Sequence, residues 1–124
     1  MKKQIIIPLI AVFLVSAFTI VLLGSTEIAP SAEVSYAGDV RPILESRCAS
    51  CHMGEFVSEG LDMNTYESLL EGSQNGPVIV PGNAGDSLLV EMISKGKMPR
   101  RGPKLTPAQI QIISDWIDAG APNN

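Results

Sequence analysis

The strongest metal-binding side chains of this sequence fall within five consecutive positions. RCASCHMGE, residues 47–55, holds the only two cysteines, Cys48 and Cys51, and the only histidine, His52. Two thiols three residues apart with an imidazole beside the second suit four chemistries. They can make a redox dithiol, part of a zinc site, a short disulfide, or a covalent haem attachment with the histidine as an iron ligand.

A redox dithiol of the Cys-x-x-Cys kind opens a helix after a strand, where the helix N-terminus lowers the thiol pKa. Here the pair ends a helical stripe and no βαβ pattern surrounds it. A closed zinc site needs four ligands. The motif supplies three, and the fourth would have to be a carboxylate such as Glu55 or come from a second chain. A disulfide across this spacing closes a small, strained ring that adds little stability. Covalent haem is the reading favoured by the full Cys-x-x-Cys-His pattern. Thiols at i and i+3 of a helical turn reach one edge of a porphyrin and can add to its two vinyl groups, and His52 then faces the iron from the same side.

With one histidine, the second axial position falls to another side chain, and the soft thioether of methionine is the natural choice. Met53 directly follows His52 and cannot reach the opposite face. Met63 lies in a loop, Met92 fits an apolar helix face, and Met98 sits between Gly96 and Pro99 among charged residues, where a core role has no obvious place. Met98 is the favoured distal ligand, with Met63 and Met92 as the alternatives. Two protein ligands would fill both axial positions, which suits electron transfer and argues against an enzyme or gas sensor with an open iron site. Backbone groups near Gly82, Asn83 and Arg100 are candidates for the haem carboxylates.

The elements that must position these groups read as helices. Val40, Ile43, Leu44 and the stem of Arg47 make one stripe over 38–48, with Pro42 in the first turn. Asn64 is a candidate cap for a short helix with Glu67 at the capping-box position and Gly72 at its end. A third helix spans about 87–95. Thr106, Pro107 and Gln109 open a fourth, whose Ile110, Ile113 and Ile117 share a face, and Gly120 closes it. Val78–Val80 is too short for a sheet, so the fold class is all-α. This core is thin for its loops, and a large apolar cofactor would fill it.

Ahead of the helices, residues 5–23 are uncharged and almost wholly apolar, with Lys2 and Lys3 before them. Nineteen residues at about 1.5 Å each span roughly 28 Å, close to a bilayer core. Residues 1–30 are therefore expected to form a signal-anchor or transmembrane helix. Residues 31–37 would be a linker, and 38–124 a domain on the periplasmic side of a bacterial cytoplasmic membrane. The alternative is a cleaved signal and a secreted or periplasmic domain. The sequence has a formal net charge of −4, and a nucleic-acid binder's basic footprint is missing. The charge is segregated, however: Lys95, Lys97, Arg100, Arg101 and Lys104 cluster without an acid around Met98. That run is a candidate docking rim for an acidic redox partner.

The runs DVRPILESRCASCH, GLDMNTYESLLEG, GPVIVPGNAGDSLLVEMI and KMPRRGPKLTPAQIQIISDWIDAGAP resemble the class I cytochrome c superfamily, most of all its small planctomycete-type domains. The likeness covers about residues 38–122. It implies a class I cytochrome c fold of three to five short helices around one covalent haem c. It further implies thioethers at Cys48 and Cys51, His52 as proximal ligand and Met98, in the Met-Pro loop, as distal ligand. The last helix should cross the first, bringing Ile113, Trp116 and Ile117 towards Val40, Ile43 and Leu44. Where many relatives carry a second proline after Met-Pro, this chain has Arg100. The implied role is a monohaem electron carrier, free on its anchor or built into a larger respiratory or photosynthetic membrane complex.

Overall fold

The computed structural model describes residues 33–124, which form one compact unit. The expected anchor at residues 1–30 lies outside the described residues, and no helix among the described residues is long and apolar enough to cross a membrane. Among those residues the chain is helical without strands: a wide π-helical turn over Tyr36–Val40, then α1 (Arg41–Arg47), α2 (Ala49–His52), a 3₁₀ turn at Ser58–Gly60, α3 (Tyr66–Glu71), α4 (Leu88–Ser94) and α5 (Pro107–Asp118).

Helix formation begins earlier than the stripe suggests because Ser35 caps the first turn. Its Oγ accepts from Gly38 N–H at 3.1 Å, and its own N–H is taken by the Asp39 carboxylate at 2.8 Å. Pro42 falls in the first turn of α1, where the wide turn gives way to the α-helix and a proline is tolerated. The helix does not run smoothly into the cysteine motif. Cys48 closes α1 with its N–H on the Leu44 carbonyl, and its own carbonyl accepts from Cys51 and His52, starting α2. The motif thus occupies its own short helix, with Cys48 at the joint.

α3 is capped one residue later than expected. Thr65 and Ser68 make the reciprocal capping box, and Asn64 and Glu67 do not. Asn64 has a different task, described below. Gly72 closes α3 at φ +91, and a Cβ there would lie 2.5 Å from the Gly76 carbonyl oxygen and 2.6 Å from Pro77 Cα. Only glycine fits this turn. At Val78–Val80 no strand forms, and a single narrow bridge, Ser73 with Gly76, is all the pairing present among the described residues. α5 follows the expected grammar in full: Thr106 and Gln109 form its capping box, Pro107 opens it, and Gly120 follows its C-cap at φ +100.

The core gathers around α5. Ile113, Trp116 and Ile117 are fully buried together with Val40 and Leu44. α5 packs on the Tyr36–Val40 turn, where the Tyr36 and Trp116 rings lie 5.3 Å apart, and on α4. Tyr66 meets Tyr36 edge to face at 5.2 Å. The C-terminal segment is pinned by these aromatics, since Trp116 Nε1 donates to the Pro122 carbonyl and the Tyr66 hydroxyl to the Ala121 carbonyl. Asn124 closes the structure onto its beginning. It accepts the N–H groups of Tyr36 and Ala37 through its side chain and main chain.

Candidate functional site: a haem cavity

The short helices enclose a cavity of about 480 Å³, within the roughly 300–1,000 Å³ usual for cofactor pockets. α1 and α2 supply Arg47, Cys48, Cys51 and His52 to its wall. The chain after Gly60 and Gly72 supplies Leu61, Met63, Ser73, Asn75 and Val78, and α4 contributes Leu88, Leu89, Met92 and Ile93. The loop after α4 brings Met98, Pro99, Arg100 and Arg101. The apolar filling that the thin core lacks has a place here.

His52 is buried, and its Nδ1 lies 3.3 Å from the Leu61 carbonyl oxygen. A proton on Nδ1 donated to that carbonyl leaves Nε2 free to ligate, the usual way a second contact fixes the tautomer and orientation of a metal-binding histidine. The backbone is held as well. Met63 N–H donates to the His52 carbonyl at 2.8 Å. Asn64 clamps the intervening loop across its neck, taking Gly54 N–H at 2.9 Å and donating to the Gly54 carbonyl at 3.0 Å. Asp62 orients that amide by accepting from both Asn64 Nδ2 and Asn64 N–H.

Both cysteines are free thiols; Cys51 is exposed and Cys48 half-buried. Burial, with a smaller contribution from neighbouring Cys51, pushes the Cys48 thiol up to about 11. Among the described residues no three Cys, His, Asp or Glu side chains converge as metal ligands would. Of the methionines considered for the distal position, Met63, Met92 and Met98 all line the cavity and Met53 does not. Met98 is half-buried, and its loop is tied back to α4 by the N–H groups of Lys97 and Met98 on the Met92 carbonyl.

Residues 48–102, which span the thiols, the histidine and the methionine loop, match the family described as Planctomycete cytochrome C. That match supports a planctomycete-type cytochrome c domain over these residues. No curated protein and no solved structure gave a match. Such a domain binds haem c covalently and points to electron carriage rather than enzymatic turnover, and Cys48 and Cys51 have the spacing of its attachment motif. The cavity fits that group: two free thiols stand on its wall beside a buried, oriented imidazole, and the remaining lining is largely apolar. Haem supplies a one-electron iron couple there, and the protein supplies ligands, burial and fixed charge.

One expectation about the cytochrome domain needs correction. Gly82 and Asn83 do not reach the cavity: Gly82 N–H is bound to the Ile117 carbonyl, and the Asn83 side chain is bound to Asp86. The polar lining includes instead Ser50, Ser58, Glu59, Ser73 and Asn75, beside Arg47 and Arg101, with Arg100 present as expected. The basic run is also less uniform than its sequence. Lys95 is paired with Glu91 at 2.8 Å, and Lys104 donates to the Pro99 carbonyl, which leaves Lys97, Arg100 and Arg101 exposed without an ion-pair partner among the described residues. The Lys95 ammonium in turn holds the Glu91 carboxyl below its usual value. Sequence reasoning missed Asn64 as a clamp and treated Arg47 only as an apolar stem. The Asp-x-Asn spacing of 62–64 was the available signal for the first.

Proposed function

We propose that the protein is a monohaem electron carrier with His52 as proximal and Met98 as distal iron ligand and thioethers at Cys48 and Cys51. One observation carries the reading: a single cavity gathers both free thiols, the buried His52 and the Met98 loop. Proximal geometry is built into the Leu61 contact and the Asn64 clamp. The distal loop starts at the end of α4, so its thioether would come from a different part of the chain than the Cys-x-x-Cys-His helix. With both axial positions taken, the iron exchanges electrons without binding substrate.

Residues 1–30 then anchor the domain to a bacterial cytoplasmic membrane, with the haem on the extracytoplasmic side; the uncharged run over 5–23 behind Lys2 and Lys3 supports this. Lys97, Arg100 and Arg101, at or next to the cavity mouth, suit an acidic docking face on the redox partner.

The deciding experiment compares holo-protein spectra of the parent, Met98→Ala and Met92→Ala. Loss of thioether ligation and a gain of carbon monoxide binding to the ferrous form in Met98→Ala alone is the expected result. Carbon monoxide binding by the parent would refute a six-coordinate carrier and favour an open-iron enzyme or sensor. Electron-transfer rates to the native partner should fall as ionic strength rises, and rates indifferent to salt would remove the charged docking face.

A further inference from the structure

Arg47, the last residue of α1, is half-buried and stands apart from the other cations that the structure describes. Its Nε is sealed from solvent and has no hydrogen-bond partner. Among the described residues no carboxylate lies within ion-pair distance of its guanidinium. The other arginine of the same helix shows what the fold does when a partner is at hand: Arg41 Nε is bound to Glu45 at 2.8 Å and its Nη1 to the Asn64 carbonyl at 3.1 Å. Buried donors are nearly always satisfied, and an orphan calls for an explanation.

The explanation lies in what Arg47 faces. It lines the haem cavity, one residue before the first thioether position. The acid on that wall, Glu59, takes a hydrogen bond from Gln74 Nε2 and makes no ion pair with Arg47, and the other charged lining residues, Arg100 and Arg101, are cations themselves. The half-buried Arg47 side chain is therefore a fixed positive charge with no ion-pair partner among the described residues, its Nε sealed within the wall around the redox group. Arginine keeps that charge at any working pH. Ferric haem carries one more positive charge than ferrous haem, so a cation held this way opposes oxidation more than it opposes reduction.

We propose that Arg47 is a potential-setting residue, a built-in cation in the cavity wall that shifts the haem couple towards the reduced form. The idea requires haem c in this cavity and is independent of which methionine ligates it.

The test is the midpoint potential of the holo-protein in the parent, Arg47→Met, which keeps an apolar stem and loses the charge, and Arg47→Lys, which keeps the charge. Arg47→Met should favour the oxidised form by at least tenfold, a fall of 59 mV for one electron. Arg47→Lys should retain most of the parent value, and Arg101→Gln, at an exposed position of the rim, should fall less than Arg47→Met. A change below twofold in Arg47→Met, about 18 mV on the same conversion, overturns the proposal. So does an equal fall in the Met and Lys variants, which would mark a packing role. If Arg47→Met does not assemble, Arg47→Gln carries the same expectation. Failure of all three variants to take up haem, the charge-preserving lysine included, also refutes tuning in favour of a structural role.

Discussion

Replacing Asn64 by alanine separates the clamp on the loop after His52 from the imidazole it would steady. The side chain makes three hydrogen bonds. The two to Gly54 are exposed, so their loss hands the glycine N–H and carbonyl to water and costs about 0.5 kcal/mol each. The third, to the Asp62 carboxylate at 2.7 Å, is half-buried and charge-assisted. Asp62 keeps the backbone N–H of residue 64 in the variant, so no carboxylate is orphaned and this bond contributes about 1 kcal/mol. The sum, about 2 kcal/mol, lowers the thermal midpoint of a domain this size by roughly 8–16 °C. The same loosening weakens the Leu61 contact on His52 Nδ1. A less basic imidazole stabilises ferric iron less, so the midpoint potential rises, by under about 59 mV for less than a tenfold change. This shift is opposite in sign to that expected for Arg47→Met. Thermal unfolding by circular dichroism and a spectroelectrochemical titration, both on holo-protein, measure the two quantities. A midpoint lowered by less than about 2 °C, where the same conversion asks for at least ~8 °C, or a potential that falls, would refute the reasoning.

Gly72→Ala should destabilise by at least about 2 kcal/mol, because its Cβ would meet backbone atoms at 2.5–2.6 Å in a left-handed conformation; near-parent stability in urea would show that the 72–77 turn opens without cost. Tyr36→Phe should change stability at pH 7 by less than about 0.5 kcal/mol, since the buried hydroxyl has no hydrogen-bond partner. Burial raises the Tyr36 pKa, with nearby Arg41 opposing it. The folded phenol keeps its proton where the unfolded chain has released it, so the parent loses stability as pH rises above about 10. The phenylalanine variant should lack that component, and superimposable parent and variant stability curves between pH 9 and 11 would contradict it.

What could be read in advance was local. Cys-x-x-Cys-His, the Thr106–Gln109 cap and the proline-flanked Met98 all declare themselves within a few residues, because the physics that fixes them is short-ranged. Asn64 looked like a helix cap for the same reason. Its true partners are Gly54, ten residues back, and Asp62, and Thr65 beside it makes the better cap. Arg47 completed an apolar stripe by spacing, but the fate of its Nε depends on a cavity wall assembled from α4 and three loops. Gly82 and Asn83 were candidates for the haem carboxylates, and the packing of their loop on α5 turned them away. Where the last helix was predicted to cross the first, α5 meets the Tyr36–Val40 turn, with Tyr36 on Trp116, at the very start of the helical region.

The stitch between Tyr36 and Asn124 joins residues 88 positions apart, and that separation becomes a delay when the chain is made. At about 5–20 residues per second, Asn124 follows Tyr36 by roughly 4–18 s. The Tyr36–Trp116 stack is late for the same reason. During that interval the first helical turn has no α5 to pack on, and Cys48 sits in open chain rather than in the wall that pushes its thiol to about 11. The topology thus predicts an order of events: the thioethers form while the chain around Cys48 is still open, and the last helix closes the box afterwards. A chain stopped after Leu105 should therefore still acquire covalent haem, visible on a denaturing gel, while failing to fold; an unlabelled band would mean that closure must come first.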